Sequence, residues 1–258
     1  MVFLENPPDY ASLAEIHAWE KTYEAEKLRR RQEEPVFSAI AATVLSLRRR
    51  MQKTEKIIRL AASSIVRMRP ADTDVVRVLD VGCGDAAKSV ALCAWLRHRH
   101  RLAVRPLGIE ISSGLAQVAA TALEALGGRC IHNDALGGMA EIGDGTIDLV
   151  LLCSYLEHET NPLDVLRACR RVLRPQGRIV IKVPNFACLN RHLRQNRWCG
   201  FRYPDHVNYF TPATLRAMVV RAGLAACRMS WLDTFPTSDN MYLVAGLPPS
   251  GQLPQDQA

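Results

Sequence analysis

Two textures divide the chain. Over residues 36–70 the positions Val44, Leu47, Met51, Thr54, Ile58, Ala61, Ile65 and Met68 recur at alternating steps of three and four, which lines them along one stripe of a long amphipathic helix. A segment over 11–34, rich in charge of both signs, reads as an earlier helix, and Pro35 separates the two. Beyond the PADTD linker at 70–74 the pattern changes to short β-branched apolar runs alternating with helical stretches, the signature of βαβ units and a parallel sheet. The runs fall at 75–81, 104–110, 129–133, 147–153, 178–183, 224–232 and 241–245, with helices at 86–97, 112–126, 162–173 and 212–221. Gly127-Gly128, Pro175-Gln176-Gly177 and Gly223 supply the breaks. The expected fold class is α/β: a Rossmann-like, seven-stranded, mostly parallel sheet with helices on both faces, plus an N-terminal helical cap. The domain reading is a helical extension over 1–70, a main domain over 71–247 and a disordered tail over 248–258.

Composition narrows the class. With 258 residues, 48% of them apolar, the chain can bury one sizeable core and an accessory element. Its net charge of +7 is concentrated in the amphipathic stretch, where eight Lys or Arg face only Glu55. That basic back suits a solvated helix face, or attraction to an acidic substrate, an anionic surface or nucleic acid. No aromatic interleaving accompanies it, so nucleic acid is not the expected partner. The 3.5-residue mean spacing of the stripe also suits a coiled-coil seam joining two copies through the N-terminal helices, against a plain cap helix lying on the main domain. No window approaches the roughly 18 uninterrupted apolar residues of a membrane span, and the opening MVFLENPPDY lacks the basic start of a signal peptide. A cytoplasmic protein is expected. The eight cysteines are scattered, with no CxxC pair and no His cluster at ligand spacing, so they read as reduced thiols and no metal site is expected.

Chemistry concentrates at strand ends. The first run ends VLDVGCGDAA and passes straight into a helix, a context in which glycines allow positive φ and close backbone approach to a ligand. Gly82-x-Gly84-x-x-Ala87 also satisfies the dinucleotide fingerprint, so two cofactors compete. Asp80, two residues before the first glycine, would repel a pyrophosphate and attract the ammonium of S-adenosylmethionine; capping the turn or helix is its structural alternative. The second run ends in Glu110 and the third in Asp134, both at the carboxyl edge where open α/β sheets bind ligands. Glu110 can accept both hydroxyls of a ribose in either cofactor. Asp134 suits an adenine amino group, or a turn.

These segments resemble the class I S-adenosylmethionine-dependent methyltransferases, and within them the small-molecule branch that includes the ubiquinone-biosynthesis O-methyltransferases and sugar or natural-product methyltransferases. The matching text is VLDVGCGDA, GIEIS, HNDAL, IDLVLLCSYLEHETNPLDVLRACRRVLRPQGRIVIKVPN and DHVNYFTPATLRAMVVRAGL, across about residues 75 to 245. The resemblance implies S-adenosyl-L-methionine as cofactor, with Asp80, Gly82, Cys83 and Gly84 holding its methionine part. It further implies Glu110 on the ribose, Ile111 flanking the adenine, Asp134 and Ala135 at the adenine edge, and Cys153 and Ser154 near the reactive sulfur. It implies an antiparallel last strand and N-terminal helices that cap the acceptor pocket. The sequence departs from the family where its third glycine is Ala86, where HRHRLAVRP lengthens the path from Gly84 to Glu110, and where Pro-Gly-Gly becomes Pro175-Gln176-Gly177.

Methyl transfer from a sulfonium is an in-line displacement of an activated group, so the protein chiefly aligns the acceptor and excludes water. A hydroxyl acceptor adds the need for a base. His158, just past the fourth run, and His206, in the RYPDH segment, are the candidates, each with loop-ordering as its alternative. Asn6-Pro7-Pro8-Asp9-Tyr10 resembles the motif of amino-methylating DNA enzymes but lies in the wrong place and carries an extra Asp9, which argues against DNA. Residues 186–210, with Arg191, Arg194, Arg197, Trp198, Arg202 and Tyr203, read as a lid over the acceptor, and the arginines fit an acidic or phosphorylated one as well as they fit a solvated loop. The expected function is methyl transfer to a small-molecule or glycan acceptor, most readily at a hydroxyl oxygen. An NAD-dependent oxidoreductase, or a non-catalytic cofactor-binding partner protein, is the alternative.

Overall fold

The computed structural model describes residues 1–5, 55–68, 75–203 and 205–249, together with single helical positions at Leu28, Gln32, Pro35, Ala39 and Thr43. The 11–34 segment, the stripe positions Val44, Leu47, Met51 and Thr54, the 70–74 linker and most of the tail lie outside the described residues. In chain order the described elements are β1 (Val2–Phe3), α1 (Lys56–Met68), β2 (Val75–Val81), α2 (Ala87–His100), β3 (Ala103–Glu110), α3 (Ser113–Glu124), β4 (Arg129–His132) and α4 (Ala135–Ala140). They continue with β5 (Ile147–Cys153), α5 (Pro162–Val172), β6 (Leu173–Pro184), α6 (Leu189–Arg194), β7 (Asn208–Tyr209), α7 (Pro212–Arg221), β8 (Ala225–Arg228) and β9 (Asn240–Gly246).

Seven strands form one sheet in the order β4-β3-β2-β5-β6-β9-β8. β9 runs antiparallel to both of its neighbours, while the β2–β3, β2–β5, β3–β4 and β5–β6 pairs are parallel. This is the Rossmann-like sheet expected from the alternating texture. Its central strands β2 and β5 are largely apolar because both faces are covered. In β5, Val150 and Leu152 enter a core shared with α4, α5 and α7, while Leu149 and Leu151 enter a second core shared with α1 and α2.

The described part of the amphipathic stripe does what its spacing predicts: Ile58, Ala61 and Ile65 are buried, and Ile57, Leu60 and Ala62 widen the buried face. Each of those large aliphatic side chains contributes about 1.5–3 kcal/mol by leaving water. Arg59 and Arg67 stay on the exposed back. At its start, Lys56 reaches the far end of the sheet: its ammonium lies 2.9 Å from Asp233 Oδ1, bonds the Leu232 carbonyl and sits 4.7 Å from the Tyr242 ring centroid.

Three element readings differ. The run at 224–232 ends as a strand at Arg228, because Ser230 and Asp233 close a capping box that winds 231–233 into a 3-10 turn. The Pro175-Gln176-Gly177 break falls inside β6 as an irregularity: Leu173 pairs with Ile147, the register shifts, and pairing resumes at Arg178 opposite Leu149. The path from β4 to β5 carries α4, whose Gly137-Gly138 hid it, and Gly138 is needed there since a Cβ would come within 2.8 Å of Ile109.

Candidate active site

Chain order reverses between β2 and β5: later strands step outward through β3 and β4 on one side, and through β6 on the other. A crevice opens at the carboxyl ends of strands flanking such a point. Three alternate residues in the left-handed region build its floor, Gly82 at φ +65°, Gly84 at +58° and Ala86 at +60°. Ala86 thus keeps the conformation that a glycine would adopt there, at a strain of about 1–2 kcal/mol. The turn is pinned to β3 by the N–H groups of Gly82 and Cys83, which both donate to the Ile109 carbonyl at 2.8 and 3.1 Å. A Cβ on Gly82 would lie 2.5 Å from the Tyr155 ring. Ala86 at the N-cap offers no side-chain bond, and Asp85 Oδ1 accepts only from Ala87 N at 3.0 Å, so the N-terminal end of α2 faces the crevice with a positive dipole.

Glu110, buried at the tip of β3, accepts from Gly84 N at 2.8 Å through Oε2 and from Ser112 N at 3.0 Å through Oε1. One carboxylate therefore joins the glycine turn to the start of α3, and each oxygen keeps a further lone pair for a ligand hydroxyl. Asp80 is buried, takes the Ser89 hydroxyl at 2.7 Å, and has its pKa pushed up to about 6 by burial, against the opposing pull of Ser89 and Lys88. Asp134 is exposed and caps α4, accepting from Gly137 N at 2.7 Å, so the turn alternative describes its carboxylate. Ala135 is buried as the first residue of that helix, and the Ile111 carbonyl is bonded by the His132 ring at 3.0 Å. Cys153 ends β5, and Ser154 follows in a left-handed conformation, φ +56°, its N–H on the Lys182 carbonyl. A non-glycine residue held so at a strand end marks a position the surroundings over-determine. These residues line one sheet edge.

The fold brings His158 and His206 together, their ring centroids 4.6 Å apart and nearly perpendicular. Each ring is aimed by the backbone: His158 Nδ1 meets the Asp205 carbonyl at 2.8 Å and His206 Nδ1 the Gly200 carbonyl at 2.7 Å, so each Nδ1 carries the proton in the neutral ring. Beside them lies Glu157, which sequence reasoning passed over. Its carboxylate is buried, its Oε2 meets no partner, and burial pushes its pKa up to about 7; the same burial pulls His158 down to about 4. Ligand atoms of Glu157, His158 and His206 all lie within 4.8 Å of one another, the one group among the described residues that could hold a metal ion. Close spacing in sequence could not reveal it, since His206 comes from a distant segment. The two segments are sewn together by Val207 N and Asn208 N, both on the Glu157 carbonyl, and by Asn208 Nδ2 on the carbonyls of Leu156 at 3.0 Å and Glu159 at 2.6 Å.

The 186–210 segment has its own aromatic core of Phe186, Trp198, Phe201 and Tyr209. Trp198 is a pillar of that core, its Nε1 donating to Asp239 at 2.8 Å, while Tyr203 is exposed. Arg191 stacks on Phe186, 4.3 Å from the ring centroid, which accounts for one of the four arginines without an acceptor.

A model of the methyltransferase domain matches residues 48–227. Among curated proteins, the chain is 26% identical over 186 residues to a ubiquinone biosynthesis O-methyltransferase of Photobacterium profundum, spanning 65% of this chain and 71% of that one. Among solved structures it is similar to a magnesium protoporphyrin IX methyltransferase of Synechocystis with bound SAH, at 16% identity and TM-score 0.53 over 74% of this chain and 82% of that one. It is also similar to a SAM-dependent methyltransferase of Archaeoglobus fulgidus, at 16% identity and TM-score 0.51 over 78% and 98% of the two chains. At such identities the solved structures bear on the fold alone. With its family model spanning the helix α1, the sheet from β2 to β6 and the paired histidine segments, the chain belongs to the methyltransferase domain family.

Proposed function

We propose that the protein moves the methyl group of S-adenosylmethionine to a hydroxyl oxygen of a small-molecule or glycan acceptor, acting in the cytoplasm. The observation that carries this reading is the left-handed turn at 82–86 with a buried carboxylate on either side, Asp80 and Glu110. Asp80 takes the ammonium of the methionine part, and the backbone of Gly82, Cys83 and Gly84 lies against it. Glu110 accepts the ribose hydroxyls with the lone pairs its two N–H bonds leave over. Ile111 flanks the adenine, whose edge meets Ala135 and the remaining oxygen of Asp134. Cys153 and Ser154 border the sulfur. Bound in this crevice, the cofactor supplies a methyl already activated on its sulfonium. The relative's name, an O-methyltransferase, supports oxygen as the atom methylated.

His158 is the base in this reading. Its Nε2 presents a lone pair, because Nδ1 holds the proton against Asp205. At neutral pH the ring is uncharged and able to accept. The orphaned Oε2 of Glu157 favours a second reading of the same cluster, in which Glu157, His158 and His206 hold a divalent cation that orients the acceptor hydroxyl. Segment 186–210 closes over the acceptor.

Titration calorimetry with S-adenosylmethionine, S-adenosylhomocysteine and NAD, on the wild type and Asp80→Ala, tests the proposal. Micromolar binding of the first two, weakened at least tenfold by the substitution, is expected; binding of NAD alone overturns it. Activity that survives exhaustive chelation and falls with His158→Ala favours the base, and activity restored by Mn²⁺ or Zn²⁺ after chelation favours the cation.

A further inference from the structure

Cys83 and Cys130 are in contact beneath the glycine turn, their sulfurs 3.9 Å apart. Cys83 stands between the two left-handed glycines, and Cys130 lies in β4, paired in register with Gly108 of β3. Gly108 is what lets the thiols meet: a Cβ there would lie 2.6 Å from Cys83 Sγ and 3.4 Å from Cys130 Sγ.

We propose that Cys83 and Cys130 form a peroxide-sensitive modification site, whose disulfide draws the glycine turn toward β4 and lowers affinity for the cofactor. The disulfide follows from the geometry of the thiols alone, whereas its effect on affinity rests on the proposed use of S-adenosylmethionine. Cys130 is the more accessible of the two, Cys83 being only 8% exposed. Either sulfur can donate in this contact, which together with burial raises the Cys83 pKa and lowers that of the more open Cys130, favouring Cys130 as the first thiolate. That thiolate attacks one oxygen of hydrogen peroxide, forming Cys130 sulfenic acid and releasing hydroxide, which is protonated to water. The Cys83 sulfur then attacks the sulfenic sulfur, forming the S–S bond; its own proton and the departing hydroxide make a second water. Two thiols are oxidised by two electrons and one peroxide is reduced. Closing 3.9 Å to the roughly 2.05 Å of a disulfide requires nearly 2 Å of approach between the sulfurs, and the Cys83 side of that approach is the turn carrying Gly84 N, bonded to Glu110.

The test uses the full chain treated with hydrogen peroxide, mapped by non-reducing tryptic digestion, with S-adenosylhomocysteine affinity measured before oxidation, after it and after dithiothreitol. A linked peptide pair carrying Cys83 and Cys130 is expected, with affinity at least tenfold weaker in the linked form and restored on reduction. Cys130→Ser is expected to keep the reduced affinity and lose both responses, and Cys130→Ala serves if the serine disturbs folding. Absence of the linked pair, an unchanged affinity in the linked protein, or a wild-type response in both variants overturns the inference. Failure of the reduced wild type to bind S-adenosylhomocysteine would instead strike the cofactor reading, leaving the peptide map to decide the disulfide.

Discussion

Asp80 and Glu110 flank the same turn but hold their charge in different ways. Glu110 spends its charge on two backbone N–H groups, so its removal strands Gly84 N and Ser112 N as well as a ligand contact. Glu110→Ala is expected to cost about 1–3 kcal/mol of stability, read as a lowered melting temperature, together with loss of cofactor binding. Asp80 is supported by one side-chain hydrogen bond, from Ser89, and by the nearby Lys88 charge, and burial still holds its carboxyl up at about 6. An ammonium ligand needs the carboxylate, so protons compete with it below that value. S-adenosylmethionine affinity is therefore expected to fall roughly tenfold per pH unit below about pH 6, and calorimetry on Asp80→Asn is expected to give weaker binding without that slope. Asp80, Glu110 and the glycines were legible because motif and strand end coincide. Asp134 was legible as an acid at the edge, but its capping of α4 was hidden by the glycines of that helix. Glu157 was not legible, since only the folded chain shows that its neighbours leave Oε2 without a partner.

The element that best repays its sequence pattern is α1. Its stripe predicted a buried face, while the ion pair that locks its first turn joins residues far apart and left no periodic trace. Burial pushes the Asp233 carboxyl up, but bonds from Ser230 Oγ at 2.6 Å and Ser230 N at 2.9 Å, with the Lys56 ammonium, outweigh it and hold the pKa at about 2. A carboxyl depressed in the folded state contributes stability that is complete above its unfolded value, near 3.8, and is lost as pH falls toward 2. Lys56→Met is expected to lower stability by about 1.5–3 kcal/mol at neutral pH in denaturant titrations, and to flatten the acid loss between about pH 4 and pH 2. Strands covered on both faces were read nearly to the residue, as β2 and β5 show. The pairing of β1 with β7 was beyond reach, because two residues carry no period and their register is set by contacts made elsewhere.

At the scale of the whole molecule, the sheet gathers acids from successive strand tips onto one edge, and the connections after β5 and β6 deliver the histidine cluster to the same side. Asn208 decides whether those connections act as one body, since its amide bonds two buried carbonyls of the 156–159 segment. Asn208→Ala is expected to depress kcat far more than it lowers the melting temperature, with the far-ultraviolet circular dichroism of the sheet and helices retained. Equal loss of both would show that the two segments are part of the folding core rather than a positioned site. Gly128→Ala probes the opposite edge: its Cβ would fall 2.0 Å from the Pro106 carbonyl oxygen, so a destabilisation of several kcal/mol, with soluble yield reduced, is expected.

The pairing of β1 with β7 places Val2 opposite Tyr209 and Phe3 opposite Asn208, with Leu4 N on the Val207 carbonyl. The residues beside Met1 therefore press on the segment that carries His206 and on the amide that sews it down. β9, by contrast, leaves the sheet at Gly246, beside the start of β6 and away from every strand tip of the crevice. An affinity tag or fluorophore fused ahead of Met1 would load the edge that carries the histidine cluster, whereas one joined after Gly246 would leave from the far side. Fusion at the carboxyl end is thus the arrangement that lets a tethered or labelled form of the enzyme report on the untouched site.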